Sequence, residues 1–337
     1  MLRPLHAALR RRLPSLERAL VGLGLAYLSG LLQRAVPALP EYWGAVLLIL
    51  IPVCTLARPW LGYSLFVLAI LPPLNAVSLY LAVLALSAAV LFHRAAINNL
   101  GALLLILLTP LLAASKLAWL VPLLGGFWWG AAGGAWVGVL SALWGMLAFG
   151  MSGYAPAALA HGGAPNLPAV IARFTGANSL ETLTRLLAPL APDTTALLHH
   201  LLLTALWGLA ASLTGRLADR DAVKRSPWGA PALALGGAAI LWAGTAGLAG
   251  WLSPSGTGSP WLNPLPALAA GIAAAGLEIL RDLLERPLPH FRLKWFNRRS
   301  APSPEGPDPV AVPTPAEMPA WDAPADNQDD LILLEIE

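Results

Sequence analysis

The chain has 337 residues, of which 57% are hydrophobic and 12% charged, and its mean hydropathy is +0.66. A soluble domain carries roughly 25% charged residues, so a water-soluble enzyme is excluded; the single cysteine, Cys54, excludes an internal disulfide scaffold. What remains is an all-α polytopic integral membrane protein.

The net charge of +3 conceals two regions of opposite sign. Residues 1–299 hold all 21 Lys and Arg, whereas residues 300–337 hold nine acids and no basic residue. The basic residues gather at Arg3–Arg18, at Arg216–Arg225 and at Arg281–Arg299, each beside an apolar run. Basic residues in short flanking segments stay in the cytoplasm. Residues 1–17, 216–228 and 285–299 are therefore predicted to be cytoplasmic, and the clusters read as topology signals rather than as a nucleic-acid surface. The first apolar run lacks a clean small-x-small cleavage site, so it is expected to be an uncleaved span.

In chain order, apolar elements are predicted at 18–38, 43–57, 59–72, 74–92, 99–122 and 126–150, then at 195–216, 229–252 and 263–284. A span needs roughly 20 apolar residues. Elements 43–57 and 59–72 fall short, with Pro72-Pro73 ending the second, and 99–122 is interrupted by Pro110 and Lys116. The three basic clusters on one side require an even number of crossings. That gives eight if one short element is re-entrant, or ten if 99–122 splits at Lys116; eight is preferred. The first block, 18–150, is thus broken, and the last, 195–284, holds three ordinary helices.

Residues 151–194 are predicted to be extracytoplasmic. Ser179–Ala188 reads as a short amphipathic helix with Ser179 as N-cap and Leu180, Leu183 and Leu187 on one face, and Asp193 is placed to cap the next span. Trp43, Trp60, Trp119, Trp228, Trp251 and Trp261 lie near span ends, as interfacial anchors do. Residues 300–337 carry eight prolines between Pro302 and Pro324 and are expected to form a disordered acidic tail. Its tip holds Leu331, Ile332, Leu333, Leu334 and Ile336 between acids, which reads as a docking motif for a cytosolic protein.

Polar groups inside apolar elements are costly and mark candidate sites. Arg34 is suited to an anionic substrate, and Asn75, Lys116 and His199 complete the predicted substrate-binding set. Arg34 with Glu41 also reads as an interfacial ion pair. Adjacent His199 and His200 point about 100° apart on a helix, so they suit proton transfer better than a shared metal. No catalytic motif, metal-ligand spacing or cofactor fingerprint is present, so no catalytic residue, metal or cofactor is expected.

Gly126, Gly130, Gly134 and Gly138 recur every fourth residue, which on one continuous helix places them along one side. Gly22, Ala26 and Gly30 form a shorter ridge in the first span. Small residues at this spacing let another backbone approach, from within the chain or from another membrane subunit. The stretch from Val121 to Leu147, VPLLGGFWWGAAGGAWVGVLSALWGML, resembles the substrate-binding S components of energy-coupling-factor vitamin transporters. The resemblance covers about 40 residues. It implies a substrate-binding role and a first helix that meets an energising subunit through Gly22, Ala26 and Gly30. The expected function is a small-molecule permease or substrate-binding transporter subunit in the cell membrane, with both termini cytoplasmic. The alternative is a membrane anchor whose tail recruits a cytosolic partner.

Overall fold

The structure, a computed structural model, describes residues 2–154, 159, 165–226, 228–252 and 263–285. The juxtamembrane segment beyond residue 285, the acidic tail, its docking motif Leu331–Ile336 and Trp261 lie outside the described residues. Those described are helical, with no strand among them. The helices are α1 (Leu2–Ala35), α2 (Tyr42–Ala57), α3 (Pro59–Val77), α4 (Leu79–Asn98), α5 (Leu100–Ala114) and α6 (Leu120–Met151). They continue with α7 (Leu167–Phe174), α8 (Ser179–Leu187), α9 (Thr194–Ala218), α10 (Asp221–Arg225), α11 (Gly229–Leu252) and α12 (Leu265–Glu285). Six of them, in α1, α3, α4, α6, α9 and α11, are long and apolar enough to cross a membrane. The apolar helices α2 and α5 are shorter, with 16 and 15 residues. Helix α12 has 21 residues, but its last turns carry Glu278, Arg281, Asp282 and Glu285.

Pro72 and Pro73 do not end α3, which continues to Val77. A proline inside a helix removes one N–H and frees the carbonyl four residues earlier. The carbonyl freed by Pro73 is that of Ala69, and Gln33 Nε2 on α1 donates a hydrogen bond to it at 2.9 Å. A polar side chain from a neighbouring helix thus keeps α3 regular and long enough to span. The side chain of Tyr63 ties α3 to α4 in the same way, its hydroxyl donating to Ala89 O at 2.8 Å.

Two apolar cores form. The first, among α1–α4 and the start of α5, is built on Leu25, Ile51, Tyr63 and Phe66. The second gathers α5, α6, α9, α11 and α12 around Val121, Met146, Phe149, Leu203 and Trp207. In the first core Gly22 sits against α2, where an added Cβ would lie 2.7 Å from Pro52 Cα. Ala26 is buried in the same core, while a Cβ on Gly30 would meet nothing within 4 Å. The face of Gly22 and Ala26 is therefore covered by this chain, and Gly30 alone stays open.

The segment between α6 and α9 folds back onto helix ends. Arg173 Nη1 donates to Gly150 O at 2.9 Å, supplying a charged donor to the last turn of α6. Helix α8 is capped by Asn178, not Ser179, in a reciprocal capping box with Glu181. Asn178 wins because its side chain reaches the third helical N–H while Glu181 returns to the Asn178 N–H. Phe174 and Thr182 are buried, whereas Leu180, Leu183 and Leu187 face outward. As predicted, Asp193 caps α9, accepting from Ala196 N at 2.7 Å. Trp43, Trp60, Trp228 and Trp251 are exposed as anchors are, but Trp119 is 2% exposed and belongs to the second core. The reason is that α5 stops early and turns Trp119 inward.

Candidate functional site: a reversed helix in the second core

Helix α5 ends at Ala114, and the next residues close it with two backbone bonds, Lys116 N to Ala113 O at 2.9 Å and Leu117 N to Leu112 O at 2.7 Å. This is a Schellman end, whose pivotal residue is left-handed and usually glycine. Here Lys116 holds that place at φ 64°, the one non-glycine residue with positive φ among those described. The same closure ends α6, with Gly153 at φ 79° and Tyr154 N donating to Phe149 O.

The glycine series does not lie along one continuous helix. Gly130 has φ 67° and ψ −166°, a conformation open to glycine and foreign to a helix. There the chain turns back on itself. A Cβ on Gly134 would fall 2.7 Å from Gly126 Cα, and one on Gly125 would fall 3.0 Å from Val137 Cγ1. On a straight helix residues 126 and 134 are roughly 12 Å apart. Residues 120–129 and 131–151 are thus two antiparallel arms, with Gly126 of one against Gly134 of the other. Every fourth-residue spacing fits both a straight ridge and this hairpin, because Gly130 sits at its centre.

The second arm packs on α9 with almost no side-chain spacer. A Cβ on Gly138 would fall 2.5 Å from Trp207 O, and one on Gly208 would fall 2.7 Å from Val139 Cγ2. Gly126 meets the backbone of Ala211 and Gly215, and Gly215 meets that of Gly130 and Ala131. Helix α11 closes the group, with Gly237 against Leu123 and Thr214. At the hairpin tip, Trp128 Nε1 donates to Glu278 Oε2 on α12 at 3.3 Å. Arg281, one turn further along α12, bonds Glu285 Oε1 at 2.8 Å.

Inside this core three polar atoms have no hydrogen-bond partner among the described residues: Trp119 Nε1, Ser141 Oγ and Trp207 Nε1. The two tryptophans are 2% and 0% exposed, and Ser141 is 0% exposed. Thr55, Thr109, Ser152, Thr204, Thr214 and Thr245 each donate to the carbonyl four residues earlier. Ser141 does not.

The predicted substrate residues lie elsewhere. Arg34, at the end of α1, Asn75, near the end of α3, and Lys116 are exposed, and no hydrogen bond or ion pair among the described residues joins them. Arg34 and Glu41 form no ion pair either. His199 is half-buried and stacked on His200, with ring centroids 5.9 Å apart. His200 is the buried member, its Nδ1 donating to Leu190 O at 2.7 Å. Among the described residues no group of three His, Cys, Asp or Glu is placed to hold a metal ion. Sequence reading missed Trp119, Ser141 and Trp207; only the left-handed turn that hangs Trp119 inward and the reversal at Gly130 bring them into one core. Comparison with protein families, with curated proteins and with solved structures gives no match.

Proposed function

We propose that this multi-pass membrane protein binds a small molecule at the reversed α6 hairpin, as a permease or as the substrate-binding subunit of one. The observation that carries the reading is a helix broken and folded back inside the apolar core, with unpartnered donors buried beside it. Irregular backbone at membrane depth persists where protein covers it or where it lines a solute path, and transporters build their sites from discontinuous helices. The resemblance of Val121–Leu147 to vitamin-transporter S components favours the same role, though the Gly22–Ala26 face is taken by α2.

The matching topology has eight crossings: α1, α2, α3, α4, residues 131–151, α9, α11 and α12. Helix α5 and residues 120–129 form a re-entrant pair that leaves and returns to the cytoplasmic side. Both termini and the Gly130 turn then share that side with the basic cluster at 216–228, and Asp219 lies close to Gly130. The test is thermal melting of the purified full-length protein with a panel of vitamins and metabolites. A compound that binds only the folded state at 100 times its Kd adds about 2.7 kcal/mol, so at least one saturable rise in Tm is expected. If no compound moves Tm, while deletion of residues 329–337 removes a co-purifying cytosolic protein, the chain is an anchor instead.

A further inference from the structure

We propose that Trp119, Ser141 and Trp207 form a binding site at half the depth of the membrane for an uncharged planar molecule bearing carbonyl-type acceptors. The proposal deepens the small-molecule reading and rests on it. The helix contacts fix which residues share a level. In the hairpin, Gly134 meets Gly126, Gly125 meets Val137 and Gly133 meets Trp129. Continued upward, this antiparallel register carries Trp119 to the level of residue 142. Between the second arm and α9, Gly215 meets Ala131 and Gly138 meets Trp207, which brings Ser141 level with residues 204–205. A helical side chain leans toward the N-terminus of its own helix, so the Trp207 indole leans to that level too. Trp119, Ala142, Leu203 and Trp207 belong to one buried cluster. Ser141 is 11 residues past the Gly130 turn, or roughly 16 Å at 1.5 Å per residue, about half of a ~30 Å hydrocarbon layer.

The chemistry of the three groups selects the ligand. An indole N–H donates and cannot accept, and a serine hydroxyl does either, so the site asks for acceptors. Among the described residues the buried polar side chains are Ser, Thr and one His, with no Asp, Glu, Lys or Arg. A charged ligand would have no counter-ion there. Two buried indoles offer flat apolar faces to a ring. A quinone, neutral and planar with two carbonyl oxygens and soluble in the bilayer, is the simplest molecule that meets all these terms.

The probe is menadione, and its carbonyl-free analogue 2-methylnaphthalene is the control. Both are titrated into the full-length protein in nanodiscs. A Cys54→Ala background is used because menadione alkylates thiols. Menadione is expected to raise Tm in a saturable manner while 2-methylnaphthalene does not. The Trp119→Phe/Trp207→Phe variant keeps an aromatic ring at each position but loses both N–H donors, and should bind menadione at least tenfold more weakly. Ser141→Ala, which alters a single atom, should weaken binding at least threefold. The proposal falls if menadione leaves Tm unmoved or both compounds act alike. It falls too if the double variant or Ser141→Ala binds as tightly as the parent. If menadione fails but a charged metabolite of the panel stabilises the protein, the small-molecule reading survives and this site does not; if nothing binds, both fall.

Discussion

At the scale of single residues, the most informative contact is the one from Gln33 to Ala69. In an apolar surrounding, a carbonyl stripped of its partner costs about 1–3 kcal/mol. Gln33→Leu should therefore lower Tm of the purified protein, and an unchanged Tm would mean that the carbonyl finds another donor. Lys116 gives the opposite sign. A non-glycine residue in the left-handed region costs roughly 1–2 kcal/mol, so Lys116→Gly should raise Tm, whereas a β-branched valine there should lower it. Neither role is legible in the sequence. Gln33 reads as an interruption at a span end, and Lys116 reads as a charge inside a hydrophobic run. What decides their roles is which carbonyl lies opposite and which dihedral the chain needs to close α5, and both are properties of neighbours distant in sequence.

At the scale of helices, hydropathy marks the long apolar helices but not the short helix Leu167–Phe174, and it misplaces several ends. Proline was read as a stop in α3, because a lone helix would lose a hydrogen bond there; the packed helix recovers it from α1. The hairpin is the deeper failure. Glycine at every fourth residue serves a smooth ridge and a fold-back equally well, and only the backbone angle at Gly130 separates them. Gly134→Leu should destabilise by about 1–3 kcal/mol through overpacking, since its Cβ would already fall 2.9 Å from Gly125 O. Gly30→Leu, on the open side of α1, should leave Tm within experimental error. Equal losses at the two positions would show that the hairpin contact has no special weight.

At the scale of the whole molecule, the two cores divide the labour. Helices α1–α4 carry most of their large apolar side chains outward, as with Leu48, Ile49, Leu68, Val90 and Leu91, and lipid is the surrounding that suits them. The second core holds the glycine contacts between α6 and α9 and three of the five unpartnered buried polar atoms among the described residues. Residues 151–194 and the tail are expected on opposite faces of the membrane. The outward row of Leu180, Leu183 and Leu187 suits a helix lying in the outer interface. In a Cys54→Ala background, a membrane-impermeant thiol reagent applied to intact cells should label a cysteine at Ser179 and spare one at Ser303. The reverse pattern would invert the topology. Lys and Arg alone carry this expectation, because flanking charge acts during insertion and needs no knowledge of packing.

The glycine contacts between α6 and α9 also bear on how the chain is made. The first arm of the hairpin, 120–129, is roughly 15 Å long at 1.5 Å per residue and cannot cross a bilayer alone. Its backbone is sealed by Ala211 and Gly215, which belong to a helix that leaves the ribosome only after the whole of residues 151–194. At about 5–20 residues per second, a nascent chain therefore waits on the order of seconds with that seam open. During that interval the insertion machinery, rather than the protein itself, must shield the unfinished hairpin. A ribosome-stalled chain ending before α9 should accordingly crosslink to the insertase or its membrane chaperones through residues 126–138, and one extended past α9 should not.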